Sequence, residues 1–205
     1  MDTMLDTSSR ARRTLDSKPA TPVLFAHFVL RSSNIQPMID WYSTLLNMHI
    51  VQRTEYICFL TYDQEHHRLG IVNLAGLTTP DAKTAGLAHV AYTMADIGAL
   101  LSTYRRVRAL GIEPSRCIHH GPTVSIYYRD PDGNGVELQV DRFATKAETA
   151  AYFQTAEFKK NPIGVAFDPE ALVRAYEEGA PEADLLTMPD GPPAAPQSPP
   201  STPRS

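Results

Sequence analysis

Apolar and polar positions change period in a fixed order along the first 142 residues. An apolar run at Val23–Leu30 reads as a strand. After a polar break, apolar residues recur at Ile35, Met38, Ile39, Tyr42, Leu45 and Leu46, the spacing of a helix that buries one stripe. Pro37 is tolerated in the first turn, and Asn34 is the predicted cap, with a side-chain oxygen able to accept from an orphan helical N–H. Strands are predicted at His49–Thr54, Ile57–Tyr62 and His67–Leu74. The order then returns: a strand at Leu87–Tyr92, a cap at Asp96, and a helical stripe of Ile97, Leu100, Leu101, Tyr104 and Val107. Gly111 stands where a helix ends, and strands follow at Ser115–His119, Thr123–Arg129 and Gly135–Val140. Between the last two, "DPDGNG" is turn chemistry, with Pro fixing φ and Gly and Asn tolerating positive φ.

The two halves align residue for residue. "FAHFVLRSSNI" (25–35) lies 62 positions before "LAHVAYTMADI" (87–97), since 89 − 27 = 62, and His27 falls on His89. The register continues through Ile39 and Leu101, Tyr42 and Tyr104, and Leu45 and Val107. Such self-similarity is one supersecondary unit used twice. The predicted class is α+β, two β-α-β-β-β modules over residues 22–75 and 86–142, joined by "AGLTTPDAKTAG". Residues 143–188 form a C-terminal helical extension, with helices in "KAETAAYFQTAEFKK" and in "DPEALVRAYEEG" that cover a sheet edge or an opening. Residues 1–21 are a disordered arm. Residues 189–205, with seven prolines, are a solvated, disordered tail.

Composition narrows the class. At 42% hydrophobic and 20% charged residues the chain is globular, and a net charge of −4 gives no case for nucleic acid or an anionic membrane. No apolar run approaches the roughly 20 residues of a membrane span. Two cysteines far apart, Cys58 and Cys117, make no disulfide framework and favour a reducing compartment, hence the cytoplasm. The first 22 residues lack the apolar centre of a signal peptide, and three aspartates among them argue against a transit peptide.

A histidine in an apolar strand is ordinarily a satisfied core residue. Here it recurs at one place in both repeats, a pseudo-twofold axis brings the two first strands together, and "NGVELQV" sets Glu137 between apolar neighbours. A carboxylate there is costly unless paired or metal-bound. Two imidazoles and a carboxylate with open positions suit non-haem Fe(II). The stretches "AHFVL", "LAHVAY" and "YYRDPDGNGVELQ" resemble the vicinal oxygen chelate superfamily (glyoxalases, bleomycin resistance proteins and dihydroxybiphenyl dioxygenases), most of all its extradiol ring-cleaving dioxygenases. The resemblance implies one half-open metal-binding barrel over about residues 22–142, with His27, His89 and Glu137 as ligands. "CFLTYDQEHHRLGIV" resembles the extradiol strand that carries the acid–base histidine, which falls on His67, with His66 in reserve. Tyr127 matches the tyrosine that hydrogen-bonds the substrate, and His119 or His120 the other active-site histidine. The resemblance is to extradiol enzymes many of which carry a further N-terminal domain not found in this sequence, which leaves room for a different substrate preference.

The implied activity is cleavage of a catechol-like ring, with a small aromatic diol and O₂ as partners and Fe(II) as the metal. Homodimerisation stays open. A glyoxalase-like or epimerase-like lyase or isomerase is the rival, using Mn(II), Ni(II), Co(II) or Zn(II). In that case His67 becomes a fourth ligand, a place where such sites usually hold a carboxylate; the acids nearby, Asp63 and Glu65, fall in a turn. A protein that only sequesters an aromatic compound is the third reading, weakened by the presence of all three ligands. Trp41, Cys58 and the Arg105, Arg106 and Arg108 cluster read as structural.

Overall fold

The computed structural model describes residues 18–78 and 84–195. The arm and the end of the tail therefore lie largely outside the described residues. In the first module, β1 (Phe28–Ser32) leads to α1 (Ile35–Leu46), then β2 (His49–Arg53), β3 (Ile57–Thr61) and β4 (Leu69–Asn73). The second repeats it as β5 (Val90–Thr93), α2 (Ile97–Arg108), β6 (Arg116–His119), β7 (Thr123–Arg129) and β8 (Gly135–Asp141). One sheet has the order β1-β4-β3-β2. The other has the order β5-β8-β7-β6 followed by β9 (Val165–Ala166). In each, the first strand runs parallel to the last strand of its module, Phe28 opposite Leu69 and Ala91 opposite Glu137. Neither sheet closes into a barrel.

The helices lie on one face of the sheets, and the apolar core lies between. Met38, Ile39, Tyr42 and Leu45 of α1 and Leu100, Leu101, Tyr104 and Val107 of α2 are buried against alternate strand residues such as Leu60, Ile71, Ile126 and Leu138. The intervening residues, Val29, Phe59, Tyr127 and Glu137, belong to the opposite, inner faces. Polar contacts lock the modules together. The buried Asp130 accepts from Tyr42 Oη at 3.0 Å and from the Asn134 backbone and side chain, both at 2.8 Å, which also shapes the "DPDGNG" turn. Arg106 donates to the carbonyls of Thr44 and Leu45, which the last turn of α1 leaves unpaired.

Several expectations need correction. β1 and β5 begin at Phe28 and Val90, so His27 and His89 stand one residue before their strands. His67 precedes β4 and lies in the turn. Asn34 makes no side-chain cap; its amide reaches Asp132 Oδ1 at 3.4 Å instead, while Asp96 does cap α2 by accepting from Ala99 N–H. The extension expected as one helix at 146–160 is two, α3 (Lys146–Tyr152) and α4 (Ala156–Lys160), because Thr145 and Thr155 each cap their own turn. The sheet edge at β6 is covered by β9 rather than by a helix. The helix after Asp168, α5 (Pro169–Glu177), packs on α2, where Glu170 accepts from Tyr104 Oη at 2.8 Å and pairs with Arg108. A short α6 (Glu182–Leu185) follows. The proline-rich tail is not wholly solvated: Ala194 is buried and donates to Gly164 O at 2.8 Å.

Candidate active site

Strand alternation sets one group of functional side chains on the inner face of the second sheet. Cross-strand register places Arg116 opposite Tyr127 and Tyr127 opposite Glu137. His89 is brought to Glu137 by a glycine: at Gly135, two residues earlier on β8, a Cβ would stand 3.0 Å from the His89 Cβ and closer still to the Ala88 carbonyl. The result is a pair with His89 Nε2 and Glu137 Oε2 2.9 Å apart.

Glu137 also accepts from the Tyr127 hydroxyl, Oη to Oε1 2.8 Å. That hydroxyl is 2.7 Å from His120 Nε2, and His120 Nδ1 donates to the Ile163 carbonyl at 2.6 Å. Gly164, at φ 99°, allows the loop carrying Ile163 to close on His120, since a Cβ there would stand 2.7 Å from its Cα. With Nδ1 protonated, the two contacts of the hydroxyl define two arrangements. When the hydroxyl donates to Glu137, His120 Nε2 must carry a proton; when Nε2 is bare, the hydroxyl turns to it. The chain His120–Tyr127–Glu137 thus holds or releases one proton with its heavy atoms in place. Burial first, and then Glu137, pushes the Tyr127 phenol above its usual range, so it keeps its proton at neutral pH. Burial pushes His120 down, against the opposing pull of the Ile163 carbonyl and Glu137.

The adjacent His119 points the other way. Its Nε2 donates to Leu186 O at 2.8 Å and its Nδ1 accepts from Gly121 N–H at 3.1 Å, so the neutral ring is fully satisfied. Of the two neighbours named from sequence, His120 reaches the site and His119 holds the extension to the sheet. Burial pushes His119 down to about 4. A histidine depressed in the folded state stabilises the fold in full above its unfolded value of about 6.5 and loses that contribution as pH falls towards 4. The loss amounts to about 3 kcal/mol. Denaturant titrations at neutral pH and near pH 4 should show it, and His119→Gln should narrow the gap; an equal gap in both proteins contradicts this role.

The first module carries a second group. His27 stacks on His67 with ring centroids 4.1 Å apart, and His67 packs on Phe59 at 4.4 Å. The ligand atoms of His27, His66 and His67 lie within 4.8 Å of one another. His27 is therefore grouped with the His-His pair and not drawn equally close to both His89 and Glu137. Burial, then His27 and His66, holds His67 below the usual histidine range. Arg68 fixes this corner: it forms an ion pair with Asp63 at 2.8 Å and donates to the carbonyls of Phe25 and Ala26, just before His27. A cleft of about 280 Å³ opens between the start of β1 and β5, lined by Phe25, Phe28, Tyr62, Arg68, Val90 and Tyr92.

Sequence reasoning missed Arg68, Ile163 and Arg116, whose guanidinium lies 4.1 Å over the Tyr127 ring. Arg116 is two residues before Ile118 and four before His120, so strand parity alone could have placed it.

The residues fit a divalent metal. The Glu137 side chain is 6% exposed, and among the described residues its one ion-pair partner is His89. Two ligand atoms about 2.1 Å from one ion and at right angles to each other stand about 3 Å apart, close to the 2.9 Å seen between His89 and Glu137.

Residues 24–138 match the model of the Glyoxalase/Bleomycin resistance protein/Dioxygenase superfamily. The chain belongs to this superfamily. It is 44% identical over 169 residues to Biphenyl-2,3-diol 1,2-dioxygenase 2 of Rhodococcus globerulus and 45% identical over 169 residues to Biphenyl-2,3-diol 1,2-dioxygenase 3 of the same organism. Each alignment covers 82% of this chain and 88% of the relative. A catechol-2,3-dioxygenase of Bacillus subtilis is 26% identical over 132 residues, 60% of this chain and 42% of that protein. The names of these three relatives describe dioxygenases, two of biphenyl-2,3-diol and one of catechol.

Proposed function

We propose that this protein is an extradiol-type dioxygenase that cleaves a catechol-like ring with O₂ and uses Fe(II). The observation that carries the reading is the buried Glu137 carboxylate joined on one side to His89 and on the other to Tyr127 and His120, in a chain 44% identical to a biphenyl-2,3-diol dioxygenase. His89 and Glu137 hold the metal, and His27 completes the set from the first module. The bound ion supplies a template for two adjacent diol oxygens and a path for electrons between ring and O₂.

The side chains do the rest. Phe59, against His67, and Tyr127, against Glu137, stand on the inner side of the sheets, and the ring is seated against them. His67, beside His27, takes a proton from the diol. Tyr127 donates to oxygen as negative charge develops, and His120 resupplies its proton. The overall reaction breaks the ring C–C bond beside the diol and adds both atoms of O₂, giving a ring-opened product with a carboxylate at one new end, an aldehyde or ketone at the other, and the second diol oxygen kept as an enol.

Metal analysis under anaerobic conditions, followed by oxygen-electrode assays on a small catechol panel, tests this. Fe(II)-dependent oxygen uptake with at least one diol is expected. Activity of Ni(II)-, Co(II)- or Zn(II)-loaded protein without oxygen uptake overturns it in favour of the lyase or isomerase. The cytoplasm is the proposed location; among the described residues no helix is long and apolar enough to cross a membrane.

A further inference from the structure

The segment that follows α6 passes from one face of the second sheet to the other. It starts on the helix-bearing side, where His119 Nε2 holds the Leu186 carbonyl at 2.8 Å. Gly191 then skirts β9 so closely that a Cβ would meet Val165 Cγ1 at 2.7 Å. Ala194 next donates its N–H to the Gly164 carbonyl at 2.8 Å. The residue is 9% exposed and forms a separate apolar cluster with Ile118 and Tyr127, which are 2% and 3% exposed. Ile118 alternates with Cys117 and His119 on β6 and so shares a face with Arg116 and Tyr127. The segment therefore crosses the β9 edge and sets Ala194 on the side where the proton chain lies. Pro192 and Pro193 immediately precede it. They are stiff and extended, so seating them costs little conformational entropy.

We infer that residues 191–195 form a wall of the substrate site beside Tyr127, and that the methyl side chain of Ala194 sets the size of ring substituent the site accepts. The inference rests on the diol-cleaving function proposed above. It deepens that function, because the wall belongs to the proline-rich tail and not to either repeated module.

Three variants test it: Ala194→Leu, Gly191→Val, and a chain ending at Asp190. A chain ending at Ala195 is the control. Two readouts are needed: kcat/KM for catechol and for biphenyl-2,3-diol, and hydrogen exchange of peptides spanning Ile118 and Tyr127. Ala194→Leu should lower kcat/KM for the biphenyl diol relative to catechol by about ten-fold, the scale of a small volume change in an apolar pocket. Gly191→Val and the chain ending at Asp190 should shift the same ratio and raise exchange around Ile118. The control should match the unaltered protein. An unchanged substrate ratio in all three variants overturns the specificity role, even if exchange rises, because packing alone would do that. If the unaltered chain turns over no diol, the diol-cleaving function fails by itself. Exchange then still decides the seating of the wall, and unchanged exchange around Ile118 in the shortened chain overturns it.

Discussion

Replacing Glu137 with alanine is expected to remove bound metal and turnover together. The carboxylate is buried, lies 2.9 Å from His89 Nε2 and takes the Tyr127 hydroxyl at 2.8 Å. Its loss would remove the one negatively charged group of the proposed ligand set and leave the phenol without that acceptor. Loss of a group that only orients a ligand costs about 10–100-fold in metal affinity. Loss of the ligand itself should exceed about 100-fold, and turnover should fall below detection. Glu137→Gln keeps the volume and a hydrogen-bond acceptor but not the charge, and should lose metal nearly as fully. Metal content by elemental analysis, read beside the thermal unfolding midpoint, separates loss of a ligand from loss of the fold. Full occupancy in Glu137→Ala would show that the carboxylate is not a ligand.

The second large effect belongs to His67. If it moves a proton from the diol, His67→Gln should keep metal near normal occupancy while kcat falls by about 10²–10⁴-fold, the usual cost of losing a general acid or base. Binding should persist, because in this role the imidazole moves a proton and would not be what holds the diol. If His67 is a fourth ligand, metal should fall first and excess metal should restore part of the activity. His67 lies on His27 and Phe59, and its ligand atom is within 4.8 Å of one on His27, so the metal content of the variant is what decides between the two roles. Metal titration of the variant before and after reconstitution distinguishes the two.

The repeat was legible because burial imposes a period on the sequence. The stripes of α1 and α2 and the strands β7 and β8 stand close to where periodicity put them, since their apolar residues alternate against one core. Positions set by cross-strand register were less legible. Nothing local in "CIHHG" tells which histidine turns inward; the pairing of Arg116 with Tyr127 decides it, and that pairing is a long-range contact. Asn34 shows how tertiary contacts override local preference, since a good capping residue is used to reach Asp132 in the other module. β9 has only two residues and no period to read. The tail looked solvated because proline-rich composition lacks large apolar groups, yet Ala194 packs with Ile118 and Tyr127 and donates its N–H to Gly164 O.

The most direct test of the whole account is the stoichiometry of oxygen against diol. Fe(II)-loaded protein is given a diol it accepts in a closed cell, and dissolved O₂, remaining diol, ring-opened product and hydrogen peroxide are measured together. The account predicts one O₂ consumed per diol lost, one ring-opened product formed and no peroxide, since both oxygen atoms enter the product. Oxygen uptake that yields peroxide and a quinone in place of a ring-opened product would contradict it, as would loss of diol without any uptake of oxygen.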